Sequence, residues 1–543
     1  MQKKIILIVL IVFACLSLSQ GQQLLYVGID NNADKVSVVN IRYDGYRPYF
    51  TIGHHQPDSC LKLTSDQYQV IYNGYLPLMQ RSNPSGYFPA DYQGRVGSYH
   101  ISSGVVPANL QDSLRLNFFV PQKSVLIKGK IFREKGSVTF KNYFEAREFP
   151  LFWFDDDKYQ VELVPINRLD TIQVVYAWAD SGGFSLLDTV KQSIFQALNI
   201  MGKVAPSFWH KHIQRWGDID KYTLMVFLGV PPLGLEHFSS PLIGINHDYL
   251  YTATELTLHE MLHSFVGKAT MPKEYLSADG KFYPTDALGY YEGLVSYLAD
   301  RVLPTEMFAN ILAWNVSNAK VVAENDLRTV SLSDRKHESY YFKGYLFWFV
   351  LNSKFDFIDS WLKWLFEKRL INSSVPVPIN MDSVLTWLGK YDHRIGNYAS
   401  NIISGEYMQI ADSLLTANGF EPIYFKNDSS YCWAYIGPYP LYQSGMVLPI
   451  DTFNIQRGVI PIKVITKNDT LPLFLATKEK GTSAGQKLMG QYPDSIFTVI
   501  MSNGVKVKTS KHAYFPDGTD YFMRGKINNI KSDFWQKHLL KQK

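Results

Sequence analysis

The segment T-A-T-E-L-T-L-H-E-M-L-H-S-F-V sets His259 and His263 four residues apart, with Glu260 beside the first histidine. In a helix this spacing sends both imidazoles from one face toward a single ion. Zinc takes neutral nitrogen or anionic ligands at about 2 Å, and the pair supplies two of them. Glu260 points to the side, where a carboxylate can take a proton from an attacking water. The competing reading is a helix whose two histidines are satisfied by hydrogen bonds alone. Against it, Leu256, Leu258, Met261, Leu262 and Phe265 make the helix strongly apolar, and burying His-Glu-His there without a metal is costly. Thr252 and Glu255 have capping-box spacing, which sets the helix start.

A catalytic zinc takes a third protein ligand and leaves one position for water. Glu292, in A-L-G-Y-Y-E-G-L-V-S-Y-L-A-D, is the preferred candidate. Asp286 can cap its helix and Pro304 limits the end, which puts the carboxylate within the first two turns. Glu274 and Asp279 are the alternatives, in a loop rich in Lys, Pro and Gly. A third histidine of the HExxHxxGxxH kind is absent, because Val266 and Ala269 occupy those positions.

These residues need elements to hold them. From Gln23 to about Ile166 the chain reads as strands and turns, among them 24–30, 36–41, 68–72, 125–132 and 159–164. His54 and His55 sit there as a pair and read as loop residues. A strand near Ile172 then leads into a helical stretch from about Ser185 to Val204. A second strand, 222–228, precedes a Pro/Gly loop, and helical spacing dominates from Thr252 to about Leu415. Strands return from Glu421 onward. The expected architecture is multidomain: an N-terminal all-β domain (22–168), a mixed α/β plus helical catalytic domain (169–420) and a small C-terminal β-rich domain (421–543).

The chain has 543 residues, more than one core organises, so several domains are expected. Its net charge of +5, from 54 basic and 49 acidic residues, comes without a sustained Lys/Arg cluster and gives no support to nucleic-acid binding. Lys3 and Lys4, the apolar run Ile5 to Leu18 and the small residues Ser17, Ser19 and Gly21 read as a signal peptide over 1–21. The mature chain is then exported, to the periplasm or the extracellular space; the rival reading is lipid attachment at Cys15. No later run reaches the ~18 apolar residues of a membrane helix, so no transmembrane segment is expected in the mature chain. Cys60 and Cys432 have no CxxC spacing, and a bridge between them stays open.

The E-G-x-x-x-Y pattern around Glu292 resembles the third-ligand helix of the glycyl aminopeptidase family, gluzincins related to the aminopeptidase N family. Gly234 to His237, G-L-E-H, is similar to the glycyl aminopeptidase motif G-G-L-E-H, with Leu233 in place of its first glycine. S-Y-Y-F-K-G (339–344) resembles the segment bearing the tyrosine that stabilises the tetrahedral intermediate. Around the histidines, His259, Glu260, His263, Lys268 and Pro272 agree with the family pattern, while Phe265, Val266 and Ala269 depart from it. Residues 404–420 resemble the helix closing the catalytic domain, so the likeness covers about 225–420.

The resemblance implies a thermolysin-like catalytic domain that binds one zinc ion through His259, His263 and Glu292. It makes Glu260 the general base and gives the oxyanion-stabilising role to Tyr341, with Tyr340 a close rival. Glu236, with Gly234 in the same motif, would bind the free α-ammonium of a peptide, the mark of an aminopeptidase. Two other readings stay open. One is a zinc endopeptidase of the same fold; the other is a catalytically silent, peptidase-like protein whose β domains engage a surface partner. Sequence gives no oligomeric state.

Overall fold

The structure is a computed structural model. It describes the strands at residues 22–29, 35–40, 59–62, 68–73 and 87–89, most of 95–204 and 222–420, the strands between 421 and 525, and residues 533–539. The signal peptide at 1–21 with Cys15, the His54–His55 pair, Thr252, Lys268, Glu274 and Asp279 lie outside the described residues. The chain divides into two compact units, Met1–Pro284 with Lys363–Ile379, and Thr285–Leu362 with Asn380–Lys543.

In the first unit, nine strands form one sheet: β1 (Gln22–Ile29), β2 (Lys35–Asn40), β3 (Ser59–Lys62), β4 (Tyr68–Asn73), β5 (Tyr87–Pro89), β6 (Gly97–Tyr99), β7 (Ser113–Ile127), β8 (Lys130–Phe140) and β9 (Leu151–Phe154). They run β3-β4-β2-β1-β7-β9-β6-β5, with β8 also on β7. The first half of β7 alternates as a one-sided strand should, burying Leu114, Leu116, Phe118 and Val120. A second sheet contains β10 (Tyr159–Pro165), β11 (Thr171–Trp178), β12 (Thr223–Leu228), β13 (Leu233–Leu235) and β14 (Leu242–Ile245), in the order β10-β11-β12-β14-β13. β12 has parallel neighbours on both sides and every residue of T-L-M-V-F-L is buried, which is why its sequence is an unbroken apolar run.

The two sheets share a core. Val96, Leu126, Phe152 and Phe154 meet Val175, Ala177, Met225, Phe227 and Leu242, and Leu233 and Leu235 of β13 pack against that cluster. The edge strand β13 is thereby fixed, although only three residues of it pair with β14. The helices of this unit are α1 (Ser181–Phe184), α2 (Leu187–Val204) and α3 (Ala253–Leu262).

The second unit is helical around α4 (Leu288–Tyr291), α5 (Gly293–Asp300), α6 (Thr305–Ala319), α7 (Leu327–Ser333) and α8 (Ser339–Phe355). Further helices follow at α9 (Ile358–Leu365), α10 (Met381–Tyr391), α11 (His393–Ile402) and α12 (Glu406–Ala417). α8 buries every side of its Tyr345–Asn352 stretch, as a central helix does. Glycines let α4 and α5 approach it backbone to backbone. A Cβ on Gly293 would stand 2.5 Å from the Gly344 Cα, and one on Gly344 would stand 2.7 Å from the Gly289 Cα. Asp286, which the sequence assigns as the cap of this helix, instead accepts from the Met381 backbone N–H at 3.1 Å, at the start of α10. The Thr285 hydroxyl takes the local role, accepting from the Ala287 N–H at 3.2 Å.

Small sheets follow between Phe420 and Gly525, and the chain returns to the helices through α13 (Asp533–Gln536). His538, fully buried, stacks on Phe308 and meets Phe349 and Phe534 at a tilt. Asn352 Nδ2 donates to the Tyr297 hydroxyl at 3.1 Å, and that hydroxyl lies 3.0 Å from His538 Nδ1. The ring's Nε2 is 3.3 Å from Ser353 Oγ. Arg301 donates to the His538 carbonyl at 2.8 Å and grips Asp359 with two N–H groups at 2.6 and 3.0 Å. Tyr297 and Arg301 belong to α5 and its C-cap, so the chain's end is tied to the helix that starts beside Glu292.

Burial, with the charges of Lys537 and Arg301, pushes the His538 pKa down from 6.5 to about 3. The unfolded chain therefore takes up this proton first. The contribution of the neutral ring is complete above about pH 6.5, and stability falls from there toward about pH 3, by up to about 1.4 kcal/mol per pH unit. Urea unfolding from about pH 7 down to about pH 4 is expected to show that slope in the wild type and a shallower one in His538→Gln.

Candidate functional site

α3 runs through the histidine motif and continues as a π turn over His263–Gly267, a distortion common at functional sites. Glu260 and His263 are buried at 5% and 2% exposure, and His259 is half-buried. The two Nε2 atoms lie 3.1 Å apart. A tetrahedral zinc at about 2.0–2.1 Å from each nitrogen would set them about 3.3 Å apart, so the pair fits one ion.

Glu292 is the residue at which α4 ends and α5 begins, with φ −101° and ψ −44°. Its N–H still donates to the Leu288 carbonyl and its carbonyl accepts from Ser296, each at 2.9 Å, so the helical path continues through it. One ligand atom each from His259, His263 and Glu292 lie within 4.8 Å of one another, the one such group of three metal-ligating side chains among the described residues. Two imidazoles and a carboxylate are the donor set of catalytic zinc sites with one open position.

β13 carries Gly234 directly against Glu260. A Cβ there would stand 2.8 Å from Glu260 Cδ and 3.0 Å from Leu256 Cδ1, so any larger residue would push the Glu260 carboxylate from its place. Glu236 follows, one residue past the last ladder pair, 28% exposed and with its Oε2 3.0 Å from His263 Nδ1. His263 thus has Nε2 toward His259 and Nδ1 beside the Glu236 carboxylate.

Sequence reasoning missed the supports behind this surface. The Ser264 hydroxyl donates to the His237 carbonyl at 3.0 Å, and Tyr222 OH, 2.8 Å away, donates in turn to Ser264. Burial, reinforced by the nearby Glu260 charge, raises the Tyr222 pKa despite its bond to Ser264, keeping the hydroxyl a neutral donor. His237 Nε2 is 2.8 Å from His100 Nδ1, across 137 residues of sequence, a separation that no local pattern announces.

Tyr340 and Tyr341 stand in the first turn of α8, both half-buried, their rings 4.9 Å apart. The geometry leaves the two with equal standing. Lys343 of the same motif is buried and donates to the Glu324 carbonyl and to Asn325 Oδ1, so its charge holds a loop.

No family model matches the chain, and no curated protein does. Solved structures do. An aminopeptidase N family protein from Idiomarina loihiensis matches at TM-score 0.55 and 14% identity, over 95% of this chain and all of that one. An M1 zinc metallopeptidase from Deinococcus radiodurans matches at 0.44 and 12%, over 72% and 95% of the two chains. Leukotriene A4 hydrolase from Saccharomyces cerevisiae matches at 0.40 and 12%, over 69% and 65%. Among the described residues no helix is long and apolar enough to cross a membrane.

The Gly234 contact makes a direct test. Gly234→Ala is expected to cost about 1–3 kcal/mol in chemical unfolding through overpacking. In a Glu260→Ala background most of that penalty should vanish, giving a coupling energy of about 1 kcal/mol or more in the double-mutant cycle. The structural neighbours of this chain are aminopeptidase N family and M1 zinc metallopeptidase structures, and the first of them shows that it has the fold of an aminopeptidase N family protein.

Proposed function

We propose that the protein is an exported, zinc-dependent aminopeptidase that removes residues from the free N-terminus of peptides. The observation that carries the reading is the grouping of His259, His263 and Glu292 beside a buried Glu260. These three side chains would hold one zinc ion, which supplies Lewis acidity for the attack of water on a peptide carbonyl. Glu260 takes the proton of the attacking water and passes it to the leaving amine. Its burial, beside the Gly234 backbone, keeps the carboxylate in one place to meet the attacking water. Tyr341, or Tyr340 beside it, donates a hydroxyl hydrogen to the developing oxyanion. Glu236 is exposed enough to meet a substrate, and its charge suits an α-ammonium. Residues 1–21 would serve as the export signal, followed by the three domains read from the sequence.

The test pairs metal analysis with aminoacyl fluorogenic peptides, each offered with a free and with an acetylated N-terminus. The wild type should turn over the free amine and lose activity with a chelator, and acetylation should abolish turnover. Glu260→Gln should retain zinc and lose at least about 100-fold in kcat. Equal turnover of acetylated peptides makes the protein an endopeptidase; full activity in zinc-loaded Glu260→Gln removes the proposed base.

A further inference from the structure

Glu236 stands where the sheet no longer holds the chain. β13 ends at Leu235, and that residue makes the last ladder pair, with Leu242. A glutamate one residue beyond a three-residue edge strand gains no hold from the ladder, and its side chain has three rotatable bonds, a poor start for a recognition group. The segment is nonetheless anchored on two sides. On one, Ser264 holds the His237 carbonyl and is itself held by Tyr222. On the other, the His237 ring meets His100, whose Nε2 lies 2.8 Å from the fully buried Ser98 hydroxyl.

His100 immediately follows β6, so it belongs to the nine-stranded sheet. Both imidazoles are buried, at 4% and 7% exposure, and their rings stack with centroids 4.8 Å apart. The chain of contacts closes with both rings neutral: His237 Nε2–H donates to His100 Nδ1, and His100 Nε2–H donates to Ser98. Reversing every donor closes it equally well. Two buried rings of this kind have no access to a substrate, whereas the adjoining Glu236 does.

We propose that His100 is a positioning residue for N-terminal recognition, acting through His237 to hold the Glu236 carboxylate in the place where it meets the substrate ammonium. This rests on the aminopeptidase reading and adds to it a determinant from the other sheet. Removing the imidazole frees the 236–237 segment, so the substrate must order it on binding. That weakens capture of the free amine and leaves Glu260 and the zinc-binding side chains in place.

The experiment compares wild type, His100→Ala, His100→Asn and His100→Gln as zinc-loaded full chains, on one aminoacyl amide and its N-acetyl form. His100→Ala is expected to raise KM for the free amine about tenfold, the size of one lost hydrogen bond, with kcat within about threefold. Zinc content should be unchanged, and calorimetric affinity for the free amino acid amide should fall in parallel. Asn offers an acceptor near the Nδ1 position and should restore most of the KM. Gln reaches the Nε2 position instead and should behave as Ala does. The Asn–Gln contrast decides the matter even where the alanine protein does not fold. An unchanged KM in His100→Ala, or Asn and Gln variants of equal KM, would overturn the proposal. A wild type that treats free and acetylated substrates alike would remove the aminopeptidase reading itself, before His100 is at issue.

Discussion

Two imidazole nitrogens held 3.1 Å apart in a largely buried place are the constraint on which the rest of the site depends. Left to themselves, such groups are costly to take out of water. The arrangement becomes favourable when one ion satisfies both and a carboxylate joins them, and Glu292 brings that carboxylate within ligand reach. Each surrounding feature serves to keep this arrangement open and fixed. Gly234 keeps side-chain volume away from Glu260. The Glu236 carboxylate lies 3.0 Å from the outer nitrogen of His263, and the Tyr222–Ser264 pair holds the backbone of the segment that carries Glu236.

The same device, absence of a Cβ where two elements must nearly touch, recurs around Glu292. Gly289 and Gly293 bracket it, and both meet Gly344 of α8. The glycines that follow Glu292 and Lys343 in sequence are therefore packing residues. They set how close α4 and α5 come to the central helix, and so where the carboxylate between them stands. The buried Lys343 and the docked His538 hold the same group of helices from further away.

The parts legible in the sequence were those governed by short-range periodicity. The four-residue histidine spacing set one helix face, and the apolar run at 222–228 read as a strand, which the structure has at Thr223–Leu228. The break at Glu292, the π turn after His263 and the use of Asp286 at α10 were not legible, because each depends on which element lies alongside. His237 shows the limit most plainly. It sits beside Glu236, yet its buried contact appears only when His100 is brought to it from across 137 residues of sequence. Glu292 was preferred in the sequence because its segment reads as a helix, whereas Glu274 and Asp279 fall in a loop; its grouping with the two histidines depends on the fold.

The most direct measurement of the central claim is zinc binding by the purified chain and its ligand variants, read by competition with a chromophoric chelator. The account predicts about one zinc per chain in the wild type, with affinity lowered at least about 100-fold in His259→Ala, His263→Ala and Glu292→Ala, each with native secondary structure. Zinc bound as tightly by the Glu292→Ala chain as by the wild type would contradict the assignment of the site.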